Sequence, residues 1–180
     1  PLNVDSDHTL SEGNLKSVGA GAGGMVVATM SVDSGKWYWE ANSTNNWNLH
    51  GIITVDRIES QADDNHAGKS TSGFGYHGAN GQKYTNNSGS SYGDTFGAGD
   101  VIGIALDLDA GTIKFYKNNT VQDSGTVAFS SLSGLFYPAM GVGDANTTIV
   151  NFGQDSSFAG SKTAQGNQDG NSIGDFYYAP

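Results

Sequence analysis

Two short patterns in this sequence match motifs that enzymes use for nucleophilic chemistry or nucleotide binding. Residues 89–93 read Gly-Ser-Ser-Tyr-Gly and match G-x-S-x-G, the elbow that presents a nucleophilic serine between a strand and a helix. Gly19, Gly21 and Gly24 match G-x-G-x-x-G, which binds a dinucleotide when it opens a helix. No helical pattern follows either match, and residues 25–32 are rich in β-branched residues that favour a strand. We therefore interpret both matches as loops.

The acidic residues of this sequence do not show the spacing of a catalytic carboxylate pair in a glycosidase. Retaining glycosidases hold two carboxyl groups about 5 Å apart, whereas Glu12, Glu40 and Glu59 are scattered along the chain. Asp107 and Asp109 share a face by the two-residue period of a strand, but they flank a turn, where aspartate accepts backbone hydrogen bonds. We predict no catalytic residue and no enzymatic activity.

The residue types that bind metals do not form a ligand set. His8, His50, His66 and His77 show no pair at the i, i+4 spacing, and the chain has no cysteine. Residues 63–66, Asp-Asp-Asn-His, combine carboxylates with an imidazole, but no second group of ligands accompanies them, so we interpret this run as a solvated loop. We predict no metal and no cofactor, while calcium binding by an Asp-rich and Asn-rich loop stays an open alternative.

Composition and charge indicate a chain of short strands that avoids polyanions. The 180 residues include 27 glycines and only 3 prolines, which favours tight turns over long helices. The formal net charge of −10 opposes contact with phosphate backbones and with anionic bilayers. No apolar run approaches the roughly 18 residues that a membrane-spanning helix needs. We predict neither a nucleic-acid partner nor a membrane partner.

Hydrophobic periodicity predicts a hairpin in residues 99–119. Apolar side chains recur there at every second position, at Ile102, Ile104, Leu106, Leu108, Ile113 and Phe115. This is the period of strands that bury one face. Residues 109–111, Asp-Ala-Gly, separate the two runs and predict a turn, so the strands should pair antiparallel.

Four blocks of the sequence resemble the SPRY domain family in the same order. They are SGKWYWE at residues 34–40, LHGIITVD at 49–56, the hairpin at 99–119, and LFYPAMGVG through VNFG at 135–153. The resemblance implies an all-β, concanavalin-like jelly-roll sandwich of two antiparallel sheets, with little or no helix. It also implies that Trp37 and Trp39 belong to the core.

The same resemblance divides the chain into three parts. Residues 1–24 form a polar, Gly-rich N-terminal flank, residues 25–153 the SPRY-like sandwich, and residues 154–180 a C-terminal extension or linker. The last part resembles the stretch that follows SPRY domains in structural proteins of bacteriophages.

This second resemblance implies a non-catalytic module of a phage virion, as a fibre, decoration or other surface protein. The expected localisation is the virion, and the expected partners are other virion subunits or a host surface molecule, with a glycan as a further possibility. An oligomer would form through the parent assembly. Two alternatives stay open: a cytoplasmic SPRY adaptor that binds a peptide, and a carbohydrate-binding lectin.

Candidate ligand-binding residues come from the family and from the loops. SPRY members form a peptide pocket near the ends of two strands, and the positions that match it are Thr54, Val142, Gly143 and Asp144. This chain lacks the aromatic residue that some members carry beside the second strand. Among residues 57–97, aromatic rings interleave with Gly and Asn as they do in many binding loops. This stretch adds Tyr76, His77, Tyr84 and Tyr92.

Overall fold

The chain forms an all-β sandwich in the computed structural model, which describes residues 3–4, 8–20, 24–54, 66–143 and 145–180. Within these ranges the only helix is a 3₁₀ turn at Asp123–Gly125, and no helix has the length and apolar character needed to cross a bilayer. Two antiparallel sheets of seven strands each face one another. The predicted fold class is confirmed.

The strands are short, as the frequent glycines and turn residues predict. In chain order they are β1 (Asn3–Val4), β2 (His8–Ser11), β3 (Lys16–Gly19), β4 (Gly24–Val27), β5 (Lys36–Ser43), β6 (Asn48–Thr54), β7 (Gly73–His77), β8 (Gln82–Thr85), β9 (Ser88–Ser91), β10 (Val101–Asp107), β11 (Thr112–Lys117), β12 (Thr120–Val121), β13 (Phe136–Val142) and β14 (Thr147–Asn151). Sheet A has the spatial order β1-β4-β13-β6-β7-β8-β9, and sheet B has the order β12-β11-β10-β5-β14-β3-β2.

The predicted central hairpin is formed by β10 and β11 of sheet B. Its register places Asp107 across from Thr112, and Gly111 closes the turn with a φ of 65°. The Asp107 carboxylate accepts the backbone N–H of Ala110 at 2.9 Å, while Asp109 accepts that of Gly35 at 2.8 Å. Both carboxylates therefore serve turns, as their positions in the sequence predict.

The sandwich core lies between the two sheets and is rich in aromatic rings. Trp39, Phe115 and Phe136 are almost completely buried in it. Trp37 differs from the expectation, because 41% of its surface is exposed. It lies near the start of β5, at the end of the sandwich, where its indole N–H donates to the Ser34 carbonyl at 2.8 Å.

Both outer faces of the sandwich also carry apolar clusters. On sheet A the cluster consists of Met25, Val27, Leu49, Ile53, Ala67, Tyr137 and Ala139, with Tyr84 packed beside it. On sheet B the residues that pack together are Val101, Ile149 and Phe158, with Tyr177 and Tyr178. Residues 154–180 therefore lie against the outer face of sheet B.

Candidate functional site

Two of the candidate tyrosines belong to the sandwich core. Tyr76 is fully buried and Tyr92 is 6% exposed, with their ring centroids 5.4 Å apart. The Tyr76 hydroxyl donates to the Asp94 carbonyl, and the Tyr92 hydroxyl accepts the Phe115 backbone N–H at 3.2 Å. Burial raises the pKa of both phenols. A surface ligand cannot contact the Tyr76 ring without opening the core.

The next two candidates lie together on the outer face of sheet A. Because side chains alternate along a strand, His77 points outward where its neighbour Tyr76 points inward. Tyr84 on β8 lies across from Gly75 of β7. The Tyr84 ring stands edge-on to the His77 ring, with centroids 5.6 Å apart. The structure therefore brings this predicted pair together.

The exposed Trp47 extends this arrangement, and its position depends on Gly143. Trp47 is 69% exposed, and its ring centroid is 6.0 Å from that of His77. A Cβ on Gly143 would come within 2.5 Å of the Trp47 carbonyl oxygen and 2.8 Å of its Cβ. Only glycine allows this close approach without a shift of the loop. Gly143 is thus a family-derived candidate that lies against Trp47, whose ring is close to that of His77.

The side chain of Asn80 connects the polar groups of this surface. Its Oδ1 lies 3.2 Å from His77 Nδ1, and its Nδ2 donates to the Tyr84 hydroxyl at 2.9 Å and to Gln82 Oε1 at 3.1 Å. His66 adds a ring 6.1 Å from that of Tyr84. We call the side chains of Trp47, His66, His77, Asn80, Gln82 and Tyr84 the aromatic patch.

The aromatic patch carries no formal charge near neutral pH. Burial lowers the pKa of His66 to about 4, with Lys69 and His77 as smaller causes. Burial also lowers the pKa of His77, although its hydrogen bond with Asn80 opposes the shift. Since Asn80 Oδ1 can only accept, His77 carries its proton on Nδ1 and keeps Nε2 as an acceptor. The patch therefore offers flat rings with neutral hydrogen-bonding groups.

Thr54 and Val142, the remaining family-derived candidates that the structure describes, do not join the aromatic patch. Thr54 lies across from Phe136, whereas Val142 lies across from Asn48 at the other end of β6. At about 3.3 Å per residue the two ends are separated by roughly 20 Å. The Val142 side chain is buried in the sandwich core. Asp144 lies outside the described residues, so its place relative to the patch stays a prediction.

Sequence reasoning missed four members of the aromatic patch as candidates: Trp47, His66, Asn80 and Gln82. Trp47 ends a run of polar residues, 42–46, and a tryptophan in such a loop is the one signal that the sequence offered. The ring contact between His66 and Tyr84 joins residues that are distant in sequence, so no local sequence pattern reveals it.

The motifs that resemble catalytic elements do not gather into a site. Residues 89–91 of the G-x-S-x-G match belong to β9, an exposed strand at the edge of sheet A, whereas Tyr92 of the same match is buried in the core. Gly21 of the glycine-rich match and residues 63–65 of the acidic run lie outside the described ranges. In the part of the chain that the structure covers, no three His, Asp or Glu residues are placed to share a metal ion.

Comparison with known families decides the classification of this sandwich. A family model described as the SPRY domain matches residues 36–155, which is more than half of the chain. The chain belongs to the SPRY domain family. SPRY domains are in general non-catalytic modules of protein interaction. The predicted family is therefore confirmed.

Known proteins that this SPRY domain resembles are much longer than it. The chain is 33% identical over 129 residues to the probable ATP-dependent RNA helicase ddx1 of Dictyostelium discoideum, which covers 71% of this chain and 16% of the helicase. It is 36% identical over 83 residues to Ran-binding protein 9 of Xenopus tropicalis, which covers 45% of this chain and 15% of that protein. The chain thus spans about one sixth of the length of each of these two curated relatives.

A solved structure agrees with the fold. The SPRY domain of human HERC1 superimposes with a TM-score of 0.66 at 20% sequence identity, covering 79% of this chain and 91% of that domain. At this level of identity the likeness concerns the fold alone.

The predicted virion localisation is wrong. The relatives named above are proteins of eukaryotes, and a bacteriophage origin finds no support in them. The prediction depended on residues 154–180, which lie almost entirely outside the matched range of 36–155. That segment is rich in Gly, Asn, Ser and Gln, a composition that many unrelated chains share.

Proposed function

We propose that this SPRY domain is a non-catalytic adaptor that docks a peptide segment of an intracellular partner protein on its aromatic patch. The exposed Trp47 ring beside His77 and Tyr84 is the observation that carries the proposal. Tryptophan and tyrosine supply much of the binding energy in protein interfaces, since they bury a large rigid surface at a low cost in side-chain entropy.

The surroundings of Trp47 favour a peptide over a charged ligand. The Asn80 and Gln82 amides and the neutral His77 ring offer both donors and acceptors, which suits the alternating N–H and C=O groups of a peptide backbone. One relative, Ran-binding protein 9, is named for binding a protein, and it matches 45% of this chain.

Peptide selection on the folded domain tests this function. A random peptide library displayed on phage would be panned against the full chain, and the enriched peptides would be synthesised for affinity measurement. We expect Trp47→Ala to weaken their binding by about 30-fold, the loss typical of an interface hot spot. Trp37→Ala is the matched control, because Trp37 is also partly exposed but lies near the start of β5 in sheet B.

Three outcomes would contradict the proposal. They are the absence of enriched peptides, equal losses for the two tryptophan variants, and binding that Trp47→Ala leaves unchanged. A glycan array with the same two variants examines the lectin alternative, because an exposed tryptophan flanked by amides can also stack on a sugar ring. If the domain binds a glycan through Trp47 and binds no peptide, the adaptor proposal is wrong and the lectin alternative is supported.

A further inference from the structure

A bulge in sheet A separates the chain from its partner strand around Met30. Val27 pairs with Ala139 of β13, and Val32 pairs with Phe136. The β13 side has two residues between these pairs, whereas the other side has four and must leave the plane of the sheet. The Met30 side chain lies on this bulge with 51% of its surface exposed. Bulges often redirect side chains beside functional sites.

Beside the bulge lies an apolar cavity in two adjoining parts, which we call the Met30 cavity. The larger part has a volume of about 270 Å³ and the smaller part about 80 Å³, and Met30 and Phe152 line both. Val26 and Met140 from sheet A and Val150 from sheet B also line the larger part. An apolar cavity of roughly 150 Å³ is enough to bind benzene. The Met30 cavity therefore has room for a molecule of about ten non-hydrogen atoms.

Trp39, which lines the smaller part of the cavity, has an indole N–H without a partner. The residue is 2% exposed, and its ring centroid is 6.5 Å from that of Phe152. Its Nε1 is buried and finds no hydrogen-bond acceptor among the residues that the structure describes. A buried donor in this state is unfavourable, and native proteins rarely leave one. An acceptor on a bound molecule would satisfy it.

The next residue of β5, Glu40, shows the opposite situation on the outer face of sheet B. Its buried carboxylate accepts the backbone N–H groups of Tyr177 and Tyr178, both at 2.8 Å. Asn151 Nδ2 donates to it at 3.1 Å, and the Tyr38 hydroxyl donates to it at 3.3 Å. The protein itself therefore satisfies the polar group on the outer side of β5, but not the indole N–H of the residue before it.

We propose that the Met30 cavity binds a small, uncharged, apolar molecule with one hydrogen-bond acceptor, and that Trp39 Nε1–H donates to this acceptor. No charged side chain of the described residues lines either part of the cavity. Burial of an unpaired charge is costly, so a neutral acceptor such as a carbonyl oxygen fits better than a carboxylate. Met30 can move to admit the molecule, because methionine is flexible and adapts its shape. Trp47 does not line the cavity, so this site is separate from the peptide docking proposed above.

Two bicyclic probes, 1-indanone and indane, test the proposal on the full chain. They share one fused ring skeleton, but only indanone has a carbonyl acceptor. The three tryptophans give three indole N–H signals in proton–nitrogen NMR spectra. Trp37→Phe and Trp47→Phe identify two of these signals at exposed positions, so the third belongs to Trp39. We expect both probes to shift the Met30 methyl signal, and only indanone to move the Trp39 indole proton downfield and slow its exchange.

A variant that fills the cavity provides the second measurement. Ala28 lines the larger part and is half-buried, so Ala28→Leu should weaken indanone binding by about tenfold or more. Ala179→Leu is the matched control, because it makes the same change at an exposed position outside the cavity and should leave the affinity unchanged. If Ala28→Leu does not fold, Met30→Ala at its exposed position replaces it and should weaken binding by about threefold or more.

Four outcomes would overturn the proposal. They are the absence of a saturable shift up to about 10 mM indanone, a concentration that a fitting molecule of ten atoms should not require; equal shifts of the Trp39 indole proton by indane; binding that the cavity variants leave unchanged; and displacement of indanone by peptides from the selection described above. The last outcome would assign the Met30 cavity to a side chain of the partner protein.

Discussion

His50 shows how a single buried side chain makes the stability of this domain depend on pH. It is fully buried beside Phe96, and its Nε2 lies 3.1 Å from the Ser43 hydroxyl. Burial lowers its pKa from 6.5 to about 3, and the nearby His77 adds a smaller contribution. The folded state therefore keeps this imidazole neutral at a pH where the unfolded chain would bind a proton.

We expect the free energy of unfolding to fall as the pH is lowered through the window from 6.5 to about 3. In this window the unfolded state binds more protons than the folded state, so acid favours unfolding. Between about pH 6.5 and pH 4.5 the contribution of His50 is about 2 to 3 kcal/mol. Urea unfolding of the native chain and of His50→Gln at both pH values measures it.

The comparison of the native chain with His50→Gln separates the pH dependence due to His50 from that due to other titratable groups. Burial lowers the pKa of His66 in the same direction, and it raises the pKa of Glu40, which acts in the opposite direction. His66 and Glu40 are present in both the native chain and His50→Gln, so their contributions cancel in the difference. If His50→Gln loses as much stability on acidification as the native chain, the assignment to His50 is wrong.

At the scale of strands and loops, the packing of two loops around Gly143 positions Trp47 of the aromatic patch. The residue follows β13, and its α-carbon lies against the main chain of Trp47, just before β6. β13 and β6 pair directly, so the two loops meet at the same end of sheet A. Trp47 is thus held by the backbone of a neighbouring connection.

We expect Gly143→Ala to displace the Trp47 loop, because the new Cβ would lie 2.5 Å from the Trp47 carbonyl oxygen. The melting temperature should fall by a few degrees, as a loss of about 1 to 2 kcal/mol implies. Affinity for a selected peptide should fall as well. Gly170→Ala is the matched control, since no atom lies within 4 Å of its Cβ position. If the two variants have the same melting temperature and the same peptide affinity, the contact between Gly143 and Trp47 does not position the loop.

Strands with regular alternation could be predicted from the sequence, but the candidate site could be predicted only in part. The β10–β11 hairpin follows from its two-residue period and the turn at Gly111. The strand predicted over residues 25–32 ends at Val27, and Val32 returns only as an isolated bridge to Phe136. Propensity did not reveal this interruption, because the main-chain bonding of residues 28–32 depends on their distant partner strand β13.

The sequence predicts His77 and Tyr84 as candidates because of their residue type. The other members of the aromatic patch can be found only when the order of the strands in the sheet is known. Tyr76 has the same composition signal as Tyr84, yet it is buried. Only the register of β7 decides which of Tyr76 and His77 faces outward, and a shift by one residue would reverse them. Trp47 comes close to His77 because β6 and β7 are adjacent in sheet A.

At the scale of the whole molecule, the sandwich has a further layer outside sheet B. Residues 154–180 form the layer on sheet B and satisfy Glu40 there. The sequence placed this segment as an extension or linker because few apolar residues interrupt its polar run. Its anchors are few but aromatic, and Phe176 among them is buried.

We expect a chain without residues 154–180 to be strongly destabilised or unfolded. Removal leaves Glu40 without two of its donors and exposes the cluster around Val101 and Ile149. Re-exposure of buried apolar side chains costs about 1.5 to 3 kcal/mol each, and the loss of several corresponds to a fall of roughly 10 °C or more in melting temperature. Thermal unfolding followed by circular dichroism measures this change.

Removal of residues 179–180 alone provides the control, because both are exposed. It should leave the melting temperature unchanged. An unchanged melting temperature for the long deletion would instead support the linker interpretation of residues 154–180.

The position of the chain end next to Glu40 determines where this domain can be attached to a surface or a dye. Tyr178 is bound on the back of sheet B, whereas Trp47 lies at the front of sheet A. Two sheets packed about 10 Å apart separate these positions. A biosensor tether or fluorophore joined after Pro180 would therefore stand behind the domain and leave the tryptophan side open to solution.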